Sequence, residues 1–157
     1  MYKTLYTVLI SFLTISVVTG LTAAEYKGPN LSGQTVSIAG PWLTGDEENF
    51  DKVNAYFEKA TGAKVDYAGS DSFEQQIVID IKAGSPPNLA AFPQPGLAAN
   101  MAAIGGLVPI GNEMENWVKN NYAAGPSWVD LGTYPDKNGN DQFYGFFYNV
   151  NVKSLVW

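Results

Sequence analysis

The chain opens with hydrophobicity that has no period. Leu5 to Val18 is mostly apolar and broken only by Ser and Thr, with Lys3 before it and the small residues Thr22, Ala23 and Ala24 after it. A basic start, a short apolar stretch and small residues before Glu25 make the layout of a secretory signal peptide. An apolar run of about 14 residues falls short of the ~20 that cross a bilayer, so cleavage after Ala24 is expected instead of a membrane anchor. No cysteine follows the run, which excludes a lipid attachment at that junction.

From Thr35 onward two periods alternate. Thr35 to Ala39 is a β-branched run closed by Gly40-Pro41, and it predicts a strand leading into a loop. Thr44 and Glu47 stand at capping-box spacing, Phe50, Val53, Phe57 and Ala60 recur at helical spacing, and Gly62 falls where a helix would end. Lys64 to Ala68 predicts a second strand. Ser72 to Gln75 starts a second helix with Ile77, Val78 and Ile81 on one side, ended by Gly84 and Pro86-Pro87. Leu89 to Phe92 predicts a short buried strand. Leu97, Met101 and Ile104 mark a third helix up to Gly105-Gly106, and Asn112 begins a fourth with Trp117 and Val118 inward. Strands alternating with helices through short connections predict an α/β layer whose sheet is mainly parallel.

After Asn121 the helical period fades. Tyr122 to Tyr134 is rich in Gly, Pro and aromatics and predicts irregular structure. Lys137 to Asn140 is a hairpin turn signal, and Gln142 to Asn149 alternates like a strand. The stretch Asp136 to Asp141 superficially suggests a calcium loop. It lacks the required glycine at the sixth position, where Asp141 stands, and the closing Glu, where Phe147 stands, so the hairpin is preferred. The apolar ending Lys153 to Trp157, without cap or polar tail, reads as a chain cut inside an element.

Composition narrows the chemistry. The sequence has no His, Cys or Arg, and its nine cations, all Lys, stand against 15 acids for a net charge of −6. That removes Ser–His and Cys–His catalysis, zinc cages, disulfides and bidentate anion clamps. A nucleic-acid partner is excluded by the charge, and no cofactor is implied. With 15% charged and 13% aromatic residues, the chain suits a neutral, hydroxyl-bearing ligand.

In open α/β sheets, ligands sit beyond the carboxyl ends of the strands. That rule nominates the loops 40–44, 68–72 and 93–96. Trp42 is a candidate aromatic plate, with a core or rim role as its alternative. Asp46 is a candidate for hydroxyl contacts, although beside Glu47 and Glu48 it is better explained by the helix dipole. Asp71 is a weaker candidate, since helix capping accounts for it. Gln94, held between Pro93 and Pro95, offers an amide that both donates and accepts.

Several runs carry a family resemblance. Tyr56 to Tyr67 (YFEKATGAKVDY) and Lys82 to Phe92 (KAGSPPNLAAF) resemble the extracellular family 1 solute-binding proteins of ABC sugar importers. Gly40-Pro41-Trp42, Phe73 to Asp80, Pro93 to Gly96 and Trp128 to Tyr134 resemble its alpha-glucoside-binding members. The resemblance runs from about Leu31 to Trp157. It implies a type II periplasmic-binding-protein-like lobe over 25–157, stopped at the first crossover with the second lobe missing. It implies a monomeric, non-catalytic periplasmic receptor that passes a neutral oligosaccharide to ABC permease subunits. It further implies that the segment near the hinge contributes to the cleft, which adds Tyr144 and Phe147 to the candidates. A chain with half a cleft is expected to bind sugar weakly or not at all. Two rivals remain: a secreted glycosidase using Glu74 and Asp130, which no motif unites, and a standalone carbohydrate-binding module, which would be mostly strand.

Overall fold

The computed structural model describes residues 26–148, so the expected signal peptide, Asn149 and the run to Trp157 lie outside the described residues. Its first strand, β1 (Thr35–Gly40), is central. It pairs in parallel with β2 (Lys64–Gly69) from Thr35↔Lys64 to Gly40↔Gly69, and on its other side with β3 (Leu89–Ala90). The helices α1 (Gly45–Thr61) and α2 (Phe73–Ala83) make the crossovers, giving the expected α/β layer. Strand β3 is shorter than Leu89 to Phe92. A side chain extends its pairing instead: Asn88 Oδ1 accepts from the Ser37 N–H and hydroxyl at 2.9 and 3.0 Å, and the Asn88 N–H donates to Ser37 Oγ.

Glycines end the two crossover helices as expected. Gly62 adopts φ +78 and Gly84 φ +76, left-handed conformations that cost other residues strain. The start of α1 differs from the expectation. Thr44 makes no side-chain cap and sits at φ +53; its carbonyl alone accepts from the Glu48 N–H, at 2.9 Å. The apolar stripe of α1 also turns partly outward: Val53, Tyr56 and Phe57 are exposed. Inside, Phe73 and Ile77 of α2 are buried, as are Ala98, Met101 and Ala102 of α3 (Pro95–Ala103), and α2 packs on both β1 and α3.

A second, smaller cluster joins α4 (Gly111–Asn121), α5 (Gly125–Leu131) and the antiparallel hairpin of β4 (Thr133–Pro135) and β5 (Asp141–Phe143). Val118, Val129 and Phe143 are its buried centre, with Tyr122 and Trp128 packed against them. Three sequence expectations are corrected here. Residues 125–131 form a helix, started by Ala124 at φ +57 and Pro126 in the first turn. Trp117 is 49% exposed, because it and Val118 are adjacent on a helix and only one can face inward. The strand expected over Gln142 to Asn149 stops at Phe143, since its partner β4 offers only three residues; the Tyr144 N–H still donates to Gly132 O at 3.0 Å.

Candidate functional site

Three parallel strands bring three loops to one sheet edge. Trp42 follows β1, Asp71 follows β2 and Gln94 follows β3. The first two loops touch. The Ser70 N–H donates to Gly40 O at 3.0 Å, and a Cβ on Gly69 would lie 2.1 Å from the Trp42 carbonyl oxygen. Residue 69 is therefore glycine for reasons of space, where backbone meets backbone.

The backbone of Trp42 is fixed by Tyr67. The Trp42 N–H donates to the Tyr67 hydroxyl at 2.9 Å, and the same hydroxyl donates to the Trp42 carbonyl at 3.2 Å. Period-two alternation along β2 turns Val65, Tyr67 and Gly69 to the same, more buried side, which is why Tyr67 is within reach. Burial pushes the Tyr67 hydroxyl above its usual range. The Trp42 hydrogen bond opposes that shift, and the nearby carboxylates of Glu47 and Asp51 add to it. Phe50 completes the support, with ring centroids 4.8 Å from Trp42 and 5.1 Å from Tyr67. Behind Trp42, the β-branched Thr44 at positive φ is a strained point, a feature that gathers at ligand sites.

The polar candidates lie on exposed positions. Gln94 Nε2 donates to Glu74 Oε2 at 2.9 Å, which ties the third loop to the first turn of α2. Asp71 Oδ1 accepts from the Ser72 hydroxyl at 3.1 Å, and Asp46 stands with Glu47 and Glu48 in the first turn of α1.

Tyr144 and Phe147 lie with the hairpin cluster. Tyr144 is nearly parallel to Tyr134 (13°, 6.4 Å) and Phe147 leans on Trp128 (5.5 Å). The aromatic of that segment in contact with Trp42 is Tyr148, at 5.0 Å and 81°. Sequence reasoning passed over Tyr67, Phe50 and Tyr148 as site residues. The alternation of β2 was the available signal for Tyr67; nothing local distinguishes Tyr148 from its neighbours.

A polar cavity of about 540 Å³ lies elsewhere, between α4, α5 and the hairpin, with Asn112, Glu115, Lys119, Asp130 and Asp141 in its walls. None of its lining residues belongs to the strand-end loops. Of the proposed carboxylate pair, Asp130 lines this cavity while Glu74 bonds Gln94, so the two share no site. Among the described residues no group of three or more Asp or Glu is placed to hold a metal.

A family model described as bacterial extracellular solute-binding protein matches residues 40–152. The chain is 55% identical over 131 residues to the alpha-glucosides-binding periplasmic protein AglE of Rhizobium meliloti, covering 83% of this chain and 29% of that protein. It is 34% identical over 149 residues to the osmoprotective compounds-binding protein GgtB of Synechocystis, covering 92% of this chain and 34% of that one. The solved structure of CpMnBP1 with mannotriose bound aligns with a TM-score of 0.48 at 15% identity, over 66% of this chain and 26% of the other. The chain thus spans about a third of the length of the two curated relatives.

Proposed function

The chain belongs to the family of bacterial extracellular solute-binding proteins, and on that premise we propose that it contributes one lobe of a receptor for a neutral, alpha-glucoside-like oligosaccharide. The receptor is exported by the signal peptide over residues 1–24 and delivers its ligand, as a monomer, to the membrane subunits of an ABC importer. It performs no catalysis. The observation that carries the reading is that Trp42, Asp71 and Gln94 follow the carboxyl ends of three parallel strands, with the Trp42 backbone held at both its N–H and its carbonyl by the Tyr67 hydroxyl. An aromatic plate packed on Phe50 meets the apolar C–H face of a sugar, and the amide and carboxylate meet its hydroxyl rim. The absence of Arg and His from the sequence is consistent with an uncharged ligand.

The test is saturation-transfer NMR of the chain with maltose. One lobe supplies half of a closing cleft, so binding near the millimolar range is expected, about −4 kcal/mol. Calorimetry giving a micromolar constant would contradict the one-lobe assignment. Release of glucose from maltose would overturn the receptor in favour of a glycosidase. Intact mass of the protein from a bacterial periplasm, expected to begin at Glu25, checks the export signal.

A further inference from the structure

Residues 144–148 carry four aromatic side chains, and packing sorts them. Tyr144 and Phe147 are held by Tyr134 and Trp128, both belonging to the α5–hairpin half. Phe146 is exposed. Tyr148 reaches instead to the strand-end loops, where its ring stands nearly perpendicular to that of Trp42, 81° between planes at 5.0 Å between centroids. The Trp42 backbone is held by the Tyr67 hydroxyl, and its indole ring packs against Phe50 and Tyr67, with centroids at 4.8 and 6.0 Å. Tyr148 remains 55% exposed.

We propose that Trp42 and Tyr148 form an aromatic corner that seats one pyranose ring, with the Tyr148 hydroxyl bonding a sugar hydroxyl at the ring's edge. The inference rests on the sugar-receptor reading above and adds the residue that sets ring orientation. A single flat plate holds a sugar face but leaves the ring free to slide and turn over it. A second plane at a right angle stops the slide, and a hydroxyl at its tip fixes which edge faces inward. Burial and the neighbouring Tyr67 raise the pKa of the Tyr148 hydroxyl, so at neutral pH it is protonated and can donate as well as accept. A corner of this kind favours ring-closed sugars over acyclic polyols, which present no flat C–H face.

The experiment is saturation-transfer NMR on the 157-residue chain with maltose and, separately, mannitol, each to about 50 mM, a range that detects millimolar binding. The parent is expected to transfer to maltose ring protons and markedly less to mannitol. Tyr148→Ala is expected to weaken maltose binding by about tenfold or more, and Tyr148→Phe, which keeps the ring, by about two- to tenfold, the size of one hydrogen bond. Tyr56→Ala, an exposed change on α1, serves as the control and leaves binding unaltered. Near-UV circular dichroism verifies folding. If Tyr148→Ala does not fold, Tyr148→Leu, which removes the aromatic plane, decides, and parent-like binding by it overturns the corner; parent-like binding by Tyr148→Phe overturns the hydroxyl bond. Parent-like binding by both Tyr148→Ala and Tyr148→Phe also overturns the corner while leaving the receptor reading intact. No transfer from the parent overturns the corner, both of whose walls lie in this chain, while a half-cleft receptor remains compatible with it. Equal transfer to maltose and mannitol removes the claimed selectivity.

Discussion

Replacing Tyr67 by Phe deletes one oxygen that serves two bonds. The hydroxyl accepts from the Trp42 N–H at 2.9 Å and donates to the Trp42 carbonyl at 3.2 Å, and both bonds are partly buried. A net hydrogen bond is worth about 0.5–1.5 kcal/mol, so losing two costs about 1–3 kcal/mol, with the lower half favoured by the partial exposure of the site. The ring stays, so its contacts with Phe50 and Trp42 persist and the unfolding slope in urea should be unchanged while the midpoint falls. For a chain of this size, the loss corresponds to a Tm lower by roughly 2–8 °C. A second arm uses pH. Tyr67 has a raised pKa in the folded state, so its contribution is fully present below the unfolded value near 10 and is lost as pH rises through the folded value. The stability gap between parent and variant should therefore narrow in alkali. Indistinguishable urea midpoints at pH 7 would refute the clamp, and a gap that stayed constant as pH rose above the unfolded value would refute the buried setting of the hydroxyl.

Three further outcomes are expected. Gly69→Ala places a methyl 2.1 Å from the Trp42 carbonyl oxygen, a backbone clash that cannot be relieved by a rotamer change, so it should cost about 2 kcal/mol or more and shift Trp fluorescence; a neutral result denies the close approach. Ile77→Ala should destabilise by about 2–5 kcal/mol in urea titration, whereas Ile79→Ala, two residues on at 58% exposure, should stay within ~0.5; equal costs would mean that α2 is turned the other way. At the acid end, the Asp136 carboxylate accepts from the Asn138 and Asn140 N–H groups, which lowers its pKa, so its support of the hairpin is present above the ordinary carboxylate value and lost as pH falls through the lowered one. Asp136→Asn should flatten the acid limb of the stability curve, and an unchanged limb counts against the assignment.

The parallel layer was readable because its signals are local. β-branched runs marked β1 and β2, and Gly62 and Gly84 marked helix ends whatever lay around them. What escaped depended on partners distant in sequence. The seven residues of α5 have weak intrinsic helical preference, with Gly125, Pro126 and Ser127 in the first turn, and they hold their helix by packing on α4. The alternation after Gln142 was genuine, but a strand forms only beside a partner, and β4 spans three residues. The strand order alone placed Trp42, Asp71 and Gln94 on the loops after the first three strands, where the structure has them. Which aromatic of 144–148 would meet Trp42 was not legible, because all four are similar in kind and only packing against Tyr134 and Trp128 separates them.

The sheet order β2-β1-β3 also sets a timetable. The central strand is the first to leave the ribosome, and its last partner ends at Ala90. At roughly 5–20 residues per second, about 3–11 s separate Thr35 from Ala90 during synthesis. A chain emerging amino end first therefore presents all three strands before the hairpin has been translated. Tyr148 arrives last among the described residues. The strand-end loops with Trp42, Asp71 and Gln94 come early, and the ring that meets Trp42 comes at the end.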